Sequence, residues 1–176
     1  PKEIKTNEKR VSLLPHLVSS IIRLGHTVVV QKGAGLDSGI EDSSYVKEGA
    51  TMLNSIENIY AEADLIVKVK EPLDSELDLI KENQIIFTFF HFAADKKLLQ
   101  KFIATNAIAV AYETVEDEKG SLPLLTPMSE IAGRMAVQNG AKYLEGTLGG
   151  KGKLLSGVPG VEPATVTIIG GGVVGL

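Results

Sequence analysis

The chain contains no cysteine, only three histidines, and no excess of basic residues. Without cysteine there is no disulfide framework, no thiolate metal site and no cysteine nucleophile. That fits a reducing, cytoplasmic setting. Eighteen lysines and arginines against 22 aspartates and glutamates give a net charge of −4. With no basic block, nucleic acid and anionic membrane surfaces are not expected partners. The histidines are scattered and no dense carboxylate cluster accompanies them, so no metal site is expected. No apolar run approaches the ~20 residues of a membrane span. The opening residues PKEIKTNEKR carry neither an initiator methionine nor the apolar segment of a signal peptide. From its two ends the chain is expected to be a piece of a longer protein.

What is present is ordinary for a globular protein: 44% apolar and 23% charged residues over 176 positions. A chain of that length buries roughly 70% of its unfolded surface. Residues 15–24 (PHLVSSIIRL) predict a helix, with proline in its first turn and Gly25 as the stop. The short apolar run 27–30 (TVVV) predicts a buried strand. Helices are expected over 57–62, 95–104 and 128–145, and strands over 64–70, 85–90, 107–112 and 164–169. Helices alternating with short, nearly continuous apolar strands indicate an α/β fold. The expected form is a Rossmann-like (flavodoxin-like) open parallel sheet with helices on both faces. The stretch 148–163 has five glycines and two prolines. Residues 1–147 are therefore expected to form one domain, 148–163 a junction, and 164–176 the truncated start of a second, dinucleotide-binding domain.

That last expectation rests on GGGVVG, residues 170–175, directly after the β-branched run 166–169. Gly170, Gly172 and Gly175 make the G-x-G-x-x-G spacing of a phosphate-binding turn. Full support needs a following helix and an acidic residue about 20 positions on, and a plain glycine-rich tail is the alternative. Ala132, Ala136 and Gly140, four apart on the expected long helix, leave two further readings: a tightly packed core helix, or a close interface between domains or subunits.

In open parallel sheets, ligands bind outside the carboxyl ends of the strands. Lys70 and then Glu71-Pro72 follow one expected strand, His91 the next, and Tyr112 with Glu113 the third. The irregular N-terminal stretch adds Glu8, Lys9 and Arg10. An arginine grips a carboxylate with two parallel hydrogen bonds, and a lysine adds a compact charge. A histidine moves a proton near neutral pH. The set suits a small keto acid or amino acid and lacks only a hydride acceptor. Each residue also has a structural alternative: a rim histidine, a solvated strand-end lysine, a surface arginine. Glu113 reads as a strand-end carboxylate, and His16 and His26 as structural.

Several stretches resemble the alanine dehydrogenase family: PKEIKTNEKRVSLLP, ADLIVKVKEPL, FTFFHFAADKKLL, AIAVAYETVEDEKGSLPLLTPMSEIAGRM and GVPGVEPATVTIIGGGVVGL. The soluble α part of the proton-translocating nicotinamide nucleotide transhydrogenase is similar across the same region. KVKEP, HFAAD and SLPLLTPMSEIAGRM favour the dehydrogenase. The resemblance implies reversible oxidative deamination of L-alanine to pyruvate and ammonia, with NAD taking the hydride. By motif, Arg10 and Lys70 hold the substrate carboxylate and His91 is the acid/base. Met128 walls the substrate pocket and Ser129 touches the cofactor. Gly170, Gly172 and Gly175 lie under the pyrophosphate. A catalytic aspartate from beyond this stretch and a homohexamer are implied as well. The 176 residues alone are expected to be inactive. A non-catalytic amino-acid-binding module is the alternative of another class.

Overall fold

Proline at the first position and an apolar stripe through Val18, Ile21 and Ile22 start and seat the first helix, α1 (Pro15–Arg23). The computed structural model describes Pro1–Leu176, which divide into two compact units, Pro1–Thr114 and Val115–Leu176.

The first unit continues with β1 (Val29–Gln31), α2 (Asp42–Lys47), β2 (Thr51–Leu53) and α3 (Ile56–Glu62). It then alternates β3 (Leu65–Lys70), α4 (Asp74–Leu77), β4 (Ile85–Phe89), α5 (Lys96–Ala104) and β5 (Ile108–Ala111). The Asp95 side chain caps α5, accepting from the amides of Lys97 and Leu98 at 3.0 Å. All strand pairing is parallel, as the apolar runs predict. The strands form two ribbons rather than one sheet, β1-β2 and β3-β4-β5. β1 and β3 each keep one edge free of strand pairing, and a cleft of about 690 Å³ is lined by Val29, Val30, Ile66 and Val67 from these two strands.

Two apolar clusters hold the unit. Val18, Val28, Val30 and Tyr45 pack around the first ribbon. Ile59, Ile66, Ile86, Phe90 and Phe102 pack around the second. The pieces that local pattern does not reveal are α2, β2 and α4, each too short for a period to emerge. β3 and β4 lose register between Val67 and Lys70.

In the second unit α6 (Thr126–Tyr143) begins two residues before its expected start. None of its residues is buried, so the packed-core reading of its small residues does not hold within this chain. Residues 164–169, expected as a strand, form none. A strand exists only with a hydrogen-bonded neighbour, and the second unit contains no other strand. Ile168 and Ile169 are accordingly exposed. No helix is long and apolar enough to cross a membrane.

Candidate functional site

His91 stands two residues past the end of β4, with a left-handed backbone (φ 53°), a conformation uncommon outside glycine. Glu113, in the single 3₁₀ turn after β5, holds it there. One carboxylate oxygen accepts from the His91 amide at 2.7 Å and the other from the Phe90 amide at 3.3 Å. On the side chain, Nδ1 lies 3.3 Å from Glu71 Oε2. With Nδ1 engaged, proton exchange with a ligand falls to Nε2. Glu71 in turn is paired through its other oxygen with Lys5. Partial burial raises its carboxyl, but hydrogen bonds from Lys5, its own backbone and His91 outweigh this and hold it below the ordinary range.

Arg10 lies in the N-terminal turn, after the left-handed Asn7 (φ 66°). Glu8 takes three of its donors: the backbone amide at 2.9 Å, Nε at 2.8 Å and Nη2 at 2.7 Å. The side-chain hydrogen bonds from Arg10 hold the Glu8 carboxyl down at about 2 against partial desolvation, and the Arg10 amide and the nearby charge of Lys70 add to them. Arg10 and Lys70 thus share one carboxylate environment. Lys70 ends β3 in register with Phe89 of β4, two residues before His91. Lys70 and His91 therefore lie at the carboxyl ends of β3 and β4, and Arg10 is linked to Lys70 through the Glu8 carboxylate. Glu71 and Glu113, named in the sequence only by their place after strands, engage His91 here, and Glu3, which carries no local signal, engages the Lys70 amide.

Met128 and Ser129 stand in the first turn of α6, half-buried, their amides directed to the Leu125 carbonyl at 3.1 and 3.2 Å. They and the glycine turn belong to the second unit. In that turn Gly170 is left-handed (φ 102°), and a Cβ on Gly175 would lie 2.1 Å from the Gly170 carbonyl oxygen. Both positions demand glycine. The amides of Gly171 and Gly172 donate to no backbone carbonyl, while those of Gly175 and Leu176 bond back to Gly172 at 3.0 and 3.1 Å. Free amides at a tight turn that enters a helical turn fit an anionic group such as a pyrophosphate.

The chain matches two family descriptions in succession: "Alanine dehydrogenase/PNT, N-terminal domain" over residues 1–132 and "Alanine dehydrogenase/PNT, C-terminal domain" over residues 136–176. It is 54% identical over 175 residues to an alanine dehydrogenase of Methanococcus maripaludis, covering 99% of this chain and 47% of that protein. To the alanine dehydrogenase of Bacillus subtilis it is 51% identical, with 99% and 46% covered. A solved L-alanine dehydrogenase superimposes with a TM-score of 0.89 at 49% identity, over 99% of this chain and 48% of that one. A transhydrogenase from Sinorhizobium meliloti superimposes less closely, with a TM-score of 0.71 at 27% identity, over 81% and 43%. The chain spans about half the length of the curated relatives it matches. It belongs to the alanine dehydrogenase/PNT family, and the greater part of it, residues 1–132, matches that family's N-terminal domain.

Proposed function

We propose that the whole protein interconverts L-alanine with pyruvate and ammonia in an NAD-dependent reaction, and that this chain supplies the substrate side. The observation that carries the reading is the rim itself: Lys70, with Arg10 linked to it through Glu8, and a histidine whose Nδ1 is engaged by Glu71. The cations take the carboxylate of alanine or pyruvate, Arg10 as a guanidinium oriented by Glu8 and Lys70 as a point charge. His91 Nε2 moves the proton as the Cα substituent interconverts between amine and carbonyl. Glu71 stabilises the imidazolium that forms. Met128 walls the pocket, and Ser129 with Gly170, Gly172 and Gly175 takes the cofactor side. NAD, when bound, supplies the hydride acceptor. Residues 1–147 act as substrate domain, 148–163 as junction and 164–176 as the start of the cofactor domain. A cytoplasmic homohexamer completes the proposal, with this chain alone inactive. The higher identity to alanine dehydrogenases than to the transhydrogenase favours this reading.

The test is NADH formation from alanine and NAD by the full-length protein and its His91→Ala variant. Only interactions strengthened in the transition state speed the chemical step. The variant should lose at least about a hundredfold in kcat, the usual reach of general acid–base catalysis, while pyruvate affinity changes little. Near-normal turnover would remove His91 from the mechanism. Hydride transfer between nucleotides without alanine turnover would favour the transhydrogenase reading.

A further inference from the structure

The two lysines of K-V-K stand two residues apart, so unbroken alternation would put both on one face of β3, together with Ile66. They end in opposite surroundings. Lys68 is 1% exposed, with its Nζ 2.6 Å from Glu76 Oε1, whereas Lys70 is half-buried at the rim. The cause lies in the register. Val67 aligns with Phe87 and Lys70 with Phe89, so Lys68 and Val69 together oppose the single residue Thr88. One extra residue makes a bulge, and a bulge exchanges the faces of everything beyond it. Lys70 is the first residue beyond it.

A bulge leaves backbone groups outside the regular ladder, and here two buried side chains take them up. Glu3 Oε1 accepts from the Val69 amide at 2.5 Å and from the Lys70 amide at 3.3 Å. From β4, Thr88 Oγ1 donates to the Lys70 carbonyl at 2.9 Å. The Lys70 residue is thus held by its N–H and by its C=O, from two different segments. Thr88 is fully buried and Glu3 nearly so. Glu3 Oε2 makes no hydrogen bond and lies 3.9 Å from Lys68 Nζ. Glu76, on the far side of Lys68, also accepts from Tyr60 Oη at 3.2 Å and from the Leu73 amide at 2.9 Å. Burial raises the Glu3 carboxyl, while Lys68 and the two amides oppose that rise. Burying such a group has a desolvation cost; what it obtains in return here is a defined bulge.

We propose that Glu3 and Thr88 are positioning residues for Lys70: they clamp the bulge that turns this lysine from the buried face of β3 to the substrate rim. The inference rests on the reading of Lys70 as a carboxylate-binding residue. The experiment uses the full-length enzyme with Thr88→Val, Thr88→Ser, Glu3→Met and Glu3→Gln, and adds Thr88→Val to a Lys70→Ala background. Thr88→Val and Glu3→Met should each raise the KM for pyruvate roughly five- to tenfold, the worth of about one hydrogen bond. Serine and glutamine, which keep the donor and the acceptor, should recover most of that loss. In the Lys70→Ala background Thr88→Val should add less than about twofold, because coupled residues are not additive. An equal increase in both backgrounds would mean a general structural role and overturn the proposal. Hydrogen exchange at the Val69 and Lys70 amides, read by mass spectrometry, should accelerate in Glu3→Met and not in Glu3→Gln. Unchanged exchange in a folded Glu3→Met overturns the clamp directly. If Glu3→Met does not fold, the Thr88 pair carries the test alone. If Lys70→Ala leaves pyruvate affinity intact, the substrate role of Lys70 fails instead, and the exchange result still shows whether the clamp exists.

Discussion

Replacing Glu8 by glutamine tests whether the N-terminal turn is built around the Arg10 fork. The Glu8 carboxyl is held at about 2 against an ordinary 4.5. A shift of that size corresponds to at most ~3 kcal/mol of preference for the ionised, folded form. Arg10 is half exposed (50%) although Glu8 is 7% exposed, and solvent screening reduces the expected loss to about 1–2 kcal/mol. The direction with pH follows from the depressed value. The stabilisation is fully present above the unfolded carboxyl's pKa and is lost as pH falls toward the folded one. Urea unfolding of the parent and Glu8→Gln proteins should therefore differ by about 1–2 kcal/mol at pH 7. The difference should begin to shrink below about pH 4.5 and disappear near pH 2. A difference that is absent at pH 7, or constant down to pH 3, would refute the reasoning. The first result would mean that the pair is fully solvated, the second that glutamine alters packing rather than charge.

Replacing Arg10 or Lys70 by alanine should weaken pyruvate binding by roughly tenfold or more, the scale of a charge-assisted hydrogen bond. Binding of a keto compound lacking the carboxylate should change far less. Calorimetric titration separates the two ligands, and equal loss for both would assign these residues a structural role. Glu76→Leu should leave the Lys68 ammonium, the Tyr60 hydroxyl and the Leu73 amide without their shared acceptor. Breaking a buried pair on one side costs about 3–5 kcal/mol, measurable by urea unfolding at neutral pH. A loss below about 1 kcal/mol would show that Lys68 turns to Glu3 instead.

How much of this is legible in the sequence varies by element. The apolar runs IVKVK, IIFTF and IAVA appear as β3, β4 and β5 with ends shifted by a residue or two. Their parallel pairing follows from the helices between them. His91 is marked as a candidate by its place just beyond β4, because ligands in such folds bind at strand ends. Glu113 followed a strand in the same way but read as an ordinary strand-end carboxylate. Its task, two hydrogen bonds to backbone amides of another segment, leaves no trace in its own neighbourhood. Residues 164–169 carry every local mark of a strand and still form none, since pairing is a property of two segments.

The sequence by itself determined the α/β class, the parallel strands and the identity of the cationic and histidine residues at their ends. Each of these is written in local periodicity and in the residue that terminates a run. The tertiary structure alone decided that K-V-K splits into a buried ion-pairing lysine and a rim lysine. It also decided that Glu3, 66 positions before Val69, seals the backbone between them. Alternation along a strand is local, whereas register and burial are set by whatever packs alongside. A single extra residue opposite Thr88 is enough to reverse what the pattern predicts.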